Sequence, residues 1–141
     1  MDSYLIAPRA AVADWDYYER PLKPVLRSQR IGKFQKYTTT WVRAKILGGG
    51  LKVVDLHLEG ERCGFMLLCV DESGLVRSCV LWMGYMEAGE AAAETAWPEL
   101  RRWAKRFRCP IVEFVSSRPG LWRKAPQHGW AEIYRGFAAE V

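Results

Sequence analysis

Histidine and cysteine are scarce in this 141-residue chain, and their placing excludes several chemistries. The only histidines are His57 and His128, and neither sits in a recognisable nucleophile motif. The four cysteines, at 63, 69, 79 and 109, form no Cys-x-x-Cys pair, and no two of them have a histidine at ligand spacing. That argues against a zinc site, and no metal ligand is assigned. Cys69 and Cys79 lie inside apolar runs and read as reduced, buried small hydrophobes. The longest unbroken apolar stretch, Phe65 to Val70, is far short of the ~20 residues that a membrane span needs. Met1-Asp2-Ser3-Tyr4 lacks the charged start of a signal peptide, so an intracellular protein is expected. Repeats, linkers and low-complexity segments are absent as well.

What is present fits one domain over residues 1–141. Half the residues are apolar, 26% are charged and 13% aromatic, a balance that excludes a disordered chain. At this length roughly two thirds of the unfolded surface can be buried, enough for a core without metal or disulfide staples. The net charge of +5 is segregated: −2 over residues 1–18, +7 over 19–45, −6 over 46–100 and +6 over 101–141. Arg20, Lys23, Arg27, Arg30, Lys33, Lys36, Arg43 and Lys45 make the second block basic against the single Glu19. Such a quarter is either a footprint for an acidic partner, nucleic acid included, or a set of solvated faces balanced in space by the acidic middle.

Tyr4 to Ala7, stopped by Pro8, suits a first strand at the start or edge of a sheet. Trp15, Tyr18, Leu22 and Val25/Leu26 recur at helical spacing, but Pro21 and Pro24 predict a break or two short helices. Thr38 to Thr40 offer N-caps for a helix through Trp41, Val42, Lys45 and Ile46, which Gly48-Gly49-Gly50 ends. Three strand-like runs follow, Leu51–Leu58, Cys63–Val70 and Leu75–Met83, parted by turn residues and read as an antiparallel meander. In the first run Val53, Asp55 and His57 share a face expected to be half exposed; the later runs are apolar on both faces, as in covered central strands. Ala96, Leu100, Trp103 and Phe107 then mark an amphipathic helix that Cys109-Pro110 closes. Ile111 to Ser116 reads as a short strand, and Trp130 to Val141 as a final strand or hairpin.

This order predicts a mixed α/β fold, a central and mostly antiparallel sheet with helices on both faces. Over nearly the whole chain it resembles the GNAT superfamily of N-acetyltransferases. The closing stretch resembles the small GNAT-like proteins of tailed phages: Trp97-Pro98-Glu99-Leu100, Trp103-Ala104, Cys109, Ser117-Arg118-Pro119-Gly120-Leu121-Trp122 and Gly129-Trp130. In that superfamily the fourth strand leads into a Gln/Arg-x-x-Gly-x-Gly/Ala loop whose backbone N–H groups cradle the pyrophosphate of acetyl-coenzyme A. The nearest match is Met86-Glu87-Ala88-Gly89-Glu90-Ala91. Gly89 and Ala91 keep the small residues, whereas Met86 replaces a polar one and Glu87 and Glu90 set carboxylates beside the phosphate seat. Like charges repel there, and a helix N-terminus offsets only about half a unit of charge. Equally, Glu87, Glu90 and Glu94 suit the first turn of a helix that holds no ligand.

The resemblance also implies a tyrosine acid in the short helix ahead of a Gly-Phe pair. Gly129-Trp130 resembles the pair, but residues 122–128 contain no tyrosine; Tyr134 lies beyond it, and His128 is either a proton exchanger or a loop residue. For a general base, Asp55 and His57 at i, i+2 on one strand face are the best constellation, with a solvated polar face as the plain alternative. Seven tryptophans are a heavy load: Trp41, Trp82 and Trp103 are expected in the core. Trp97, Trp122 and Trp130, with Arg118, Arg123 and Lys124, have the composition of an interaction surface or fold back to complete the core. The residues together point to a protein that keeps the scaffold, has drifted from acetyl transfer, needs no cofactor and acts through protein contacts. By its phage-type resemblance it would be a virion-associated or internal virion component, found in the host cytoplasm. The alternatives are a working acetyl-coenzyme A-dependent N-acetyltransferase and a nucleic-acid binder using residues 19–45.

Overall fold

The computed structural model describes residues 1–89, 94–115, 123–132 and 138–140. A strand, β1 (Asp2–Ile6), opens the chain and runs into α1 (Pro8–Ala13) and α2 (Trp15–Ser28). A two-stranded hairpin, β2 (Arg30–Ile31) with β3 (Phe34–Gln35), and α3 (Thr39–Leu47) follow. The meander is β4 (Lys52–Leu58), β5 (Glu61–Asp71) and β6 (Ser78–Met86); α4 (Trp97–Arg106) then crosses to β7 (Ile111–Phe114). The main sheet has the order β1-β4-β5-β6-β7, antiparallel throughout except for the parallel pair β6–β7. This is the mixed α/β architecture expected, with helices on both faces. Among the described residues no helix is long and apolar enough to cross a membrane.

Alternation along the strands divides the core in two. Val53, Phe65 and Leu67 face Tyr18, Leu22, Leu26, Val42 and Ile46 of α2 and α3. Val54, Leu56, Met66 and Leu68 face Leu100, Trp103 and Ala104 of α4. Both faces of β4 are therefore covered, which corrects the half-exposed face expected for it. Asp55, only 4% exposed, lies beneath α2.

Two further expectations are corrected. The break expected at Pro21 and Pro24 falls earlier, at Asp14, and α2 runs unbroken through both prolines. Each internal proline costs roughly 3 kcal/mol, whereas Tyr18, Leu22 and Leu26, buried at i, i+4 and i+8, return about 1.5–3 kcal/mol apiece. Burial of the stripe is thus of the size needed to offset both prolines. The third meander strand starts at Ser78 instead of Leu75, whose side chain is wholly exposed. Asp71 Oδ1 accepts from the Ser73 N–H at 2.9 Å and from its hydroxyl at 2.6 Å, and Glu72 pairs with Arg77 at 3.0 Å, so these residues form a longer turn. The helix expected from Thr38 onward is found, with the Trp41 N–H donated to Thr38 Oγ1 at 3.1 Å. The closing strand or hairpin over Trp130–Val141 lies largely outside the described residues, as does Ser116.

Polar staples fix the helices to the sheet. On the α4 face Ser3 donates its hydroxyl to Glu99 Oε2 at 2.6 Å and accepts from Trp103 Nε1 at 2.7 Å, while Arg102 pairs with the same buried carboxylate. On the α2 face Tyr18 donates to Asp55 Oδ1 at 2.7 Å. Arg62 bridges Asp14 at 2.6 Å and Asp55 at 3.6 Å, with its guanidinium 3.5 Å above the Tyr17 ring. Burial pushes the Asp55 carboxyl above its ordinary range, against the pull of Tyr18 and Arg62.

Because that pKa is raised on folding, ionisation of Asp55 weakens the folded state as pH climbs past the ordinary 3.8, and the Tyr18 hydrogen bond opposes the loss. Tyr18→Phe is expected to cost about 1–3 kcal/mol near neutral pH and clearly less where Asp55 is protonated. Urea denaturation at about pH 7 and about pH 4 checks it; an equal cost at both would contradict this account.

Candidate active site

The described β6 residues carry one more residue than their partners on β5. Leu67 pairs with Met83 and Leu68 with Leu81, so Trp82 is a bulge. At that point the sheet opens. Among the described residues β6 pairs with β7 from Ser78 to Leu81, opposite Ile111 to Phe114, and beyond it Trp82 to Met86 have β5 on one side and no described partner on the other. A bulge bends its strand and increases the local twist, which carries this half of β6 away from β7.

Side chains fill the flanks of the opening without closing it. Trp97 stacks on Phe114 with centroids 6.0 Å apart, and Trp130 meets Phe114 edge-on at 4.9 Å. On the other face Trp82 packs against Tyr37 at 5.3 Å and Trp41 at 5.7 Å. Between them lies a cleft of about 630 Å³ that reaches both faces of the sheet. Its walls are α2 (Pro21, Val25, Ser28, Gln29) on one side and Ala96, Trp97 and Leu100 on the other, with Trp82 to Met86 along the floor and Gly89 at the end. Among the described residues lining it none is charged, and Tyr85 is the one with a titratable group.

At the end of β6, where the sequence places the phosphate turn, Met86, Glu87, Ala88 and Gly89 form a tight reversal. The Gly89 N–H bonds to the Met86 carbonyl at 3.0 Å, and the Glu87 N–H to the Cys63 carbonyl at 2.8 Å. Gly89 has φ +82°, and no described residue lies within 4 Å of where a Cβ would stand. A backbone surface this open admits a close ligand. Glu90 and Ala91 lie outside the described residues. Exposed Glu87 acts on Tyr17 and Cys63: burial raises both groups, Tyr17 to about 12, and the Glu87 charge adds to it. Glu94, three residues before α4, is already neutralised. Lys124 Nζ lies 2.7 Å from one of its oxygens and His128 Nε2 2.8 Å from the other, and these contacts hold its pKa below the ordinary value.

The other candidate residues are scattered. Asp55 and His57 share a strand, but neither lines the cleft. Both Asp55 oxygens face Tyr18 and Arg62, while the His57 ring meets Tyr4 edge-on at 5.0 Å. Trp97 is 5% exposed, which corrects its place on an interaction surface: it heads the apolar stripe of α4 and turns into the core. Trp130 is half-buried beneath the Arg101 guanidinium, 5.0 Å from its ring. Arg123 and Lys124 are exposed, Lys124 ion-paired; Arg118 and Trp122 lie outside the described residues. Trp103 is core as expected, whereas Trp41 and Trp82 are only partly buried. Sequence reasoning missed Val25, Ser28, Gln29, Tyr85 and Phe114 as cleft residues, because only the opening of the sheet brings them together. Among the described residues no group of His, Cys, Asp or Glu is arranged to hold a metal ion.

No family model and no curated protein matches the sequence. Solved structures do match. A ribosomal-protein-alanine N-acetyltransferase from Brucella melitensis biovar Abortus 2308 aligns over 100% of both chains with a TM-score of 0.66 at 12% identity. A predicted acetyltransferase from Clostridium acetobutylicum, solved with acetyl-CoA, aligns over 99% of this chain and 95% of its own, TM-score 0.65 and 11% identity. An aminoglycoside acetyltransferase from an uncultured soil metagenomic sample, in complex with sisomicin, covers the same shares at TM-score 0.66 and 8% identity. Mixed sheet topology and end-to-end structural likeness agree: the chain has the GNAT acetyltransferase fold.

Proposed function

We propose that the protein binds a coenzyme A thioester in the cleft and transfers its acyl group to an amine. The observation that carries this reading is the edge of β6: from Trp82 to Met86 the strand has no neighbour among the described residues on the side that faces a cavity of about 630 Å³. An extended chain of amides is the ligand that such an edge suits, since it adds as a further strand through backbone hydrogen bonds. Gly89 lies at the end of that edge, with room for a phosphate against the backbone. The residues that would hold the ligand are therefore Trp82 to Met86, Gly89 and the first turn of α4. Neutralised Glu94 relieves part of the repulsion that the acidic turn suggests. Acetyl-coenzyme A would supply the activated acyl group as a thioester.

In the transfer one N–C bond forms, one C–S bond breaks, and the proton of the amine ends on the departing sulfur. With no carboxylate or imidazole among the described lining residues, the chain prepares the amine by desolvation: an uncharged lining disfavours the ammonium and leaves the neutral nucleophile. Tyr85, the one described lining residue with a titratable group, is the residue we assign to passing a proton to the sulfur. Asp55 and His57 lie away from this path, and Asp55 works as a structural staple.

A second reading, action through protein contacts as the phage-type resemblance implies, draws support from exposed Glu87 in the phosphate turn. Isothermal titration with acetyl-coenzyme A separates the two. Saturable binding that also raises the melting temperature is expected, and Gly89→Val, which forces a branched residue into a left-handed turn, should weaken it about tenfold. Absence of binding would leave the contact reading. In steady-state assays Tyr85→Phe is expected to lower kcat by about 10- to 100-fold with affinity for acetyl-coenzyme A unchanged.

A further inference from the structure

The reading above fixes which side of the cleft is left for the acceptor. The phosphate-bearing end belongs with Gly89 and α4, so the acceptor enters from the α2 face. We infer that the acceptor is an aromatic primary amine and that polyamines are excluded. This deepens the acyltransfer reading and rests on it.

The wall on the α2 side consists of Pro21, Val25, Ser28 and Gln29, with Trp82 and Tyr85 turned toward the same core. A second ammonium on the acceptor would enter a wall with no described carboxylate to receive it, and burying an unpaired charge is strongly disfavoured. The single reacting amine escapes that cost by entering neutral. Trp82 is itself held by two rings outside the cleft lining: Tyr37 and Trp41 lie 4.5 Å apart, and each contacts Trp82. Offset and edge-on contacts with the Trp82 and Tyr85 rings favour an aromatic group in the cleft.

The uncharged wall and the Trp82 and Tyr85 rings thus select in one direction.

The test compares phenylethylamine with spermidine, using the full chain, acetyl-coenzyme A as donor and release of free coenzyme A as the signal. The expected kcat/KM for phenylethylamine is at least about tenfold the higher. Gln29→Glu, which sets a carboxylate on the wall at nearly constant size, should narrow the ratio roughly fivefold. Without donor, phenylethylamine alone should raise the melting temperature and spermidine should not. Equal or better use of spermidine overturns the inference, as does a ratio that Gln29→Glu leaves unmoved. Turnover with neither amine, while acetyl-coenzyme A binds, overturns the inference and spares the donor site; failure to bind acetyl-coenzyme A overturns both.

Discussion

One surplus residue in a strand organises the whole cleft. Because Trp82 has no partner on β5, β6 bends after Leu81, and the parallel ladder to β7 ends after four pairs. Had β6 stayed straight, β7 could have continued along it and the edge from Trp82 to Met86 would be occupied by the chain's own backbone. The bulge is held by its surroundings. Trp82 is wedged among Tyr37 and Trp41 on one face, and Phe114 is gripped between Trp97 and Trp130 on the other. Seven tryptophans in a small chain are less surprising once two clusters of rings are seen to flank an opened sheet.

A parted sheet needs rigid supports, since the described residues make no hydrogen bonds across the gap. The staples on either face supply them. Ser3, Glu99, Trp103 and Arg102 lock α4 to the edge strand, and Tyr18, Asp55, Arg62 and Asp14 lock α2 to the centre. Both networks include a buried carboxylate with several donors, the condition under which burying a charge is tolerated. α2 in particular must stay in place, because it is at once the lid of the first core and a wall of the cleft. Its two prolines narrow the range of structures open to the segment, yet the stripe Tyr18, Leu22, Leu26 keeps it helical. Gly64 has a related part: a Cβ there would come within 2.1 Å of the Tyr85 carbonyl, so only glycine lets β5 and β6 approach beside the turn.

The electrostatics of the site are also redistributed by folding. Read along the chain, Glu87, Glu90 and Glu94 crowd a phosphate seat; in space Glu94 is bound by Lys124 and His128 from a distant segment, and Glu87 bears on Tyr17 and Cys63. The basic N-terminal quarter is likewise partly balanced, Lys23 by Glu19 and Lys33 by Glu140. Two lysines of that block, Lys36 and Lys45, instead cap the aromatic rings of Tyr37 and Trp41.

The order of elements was legible in the residues themselves, because hydrophobic periodicity and turn chemistry are local. The Thr38 cap, the Gly48 stop, the meander and the stripe of α4 each depend on neighbours a few residues away. What local pattern misjudged was decided by competition between distant groups. The course of α2 through its prolines, the burial of Asp55 and the inward turn of Trp97 follow from packing against a sheet that no short window contains. The cleft is the extreme case: Val25, Gln29, Tyr85 and Phe114 carry no shared motif, and only the register that leaves Trp82 unpaired brings them to one cavity. Sequence sets which segments can be helix or strand; the pairing register, a property of two segments at once, sets where the sheet must open.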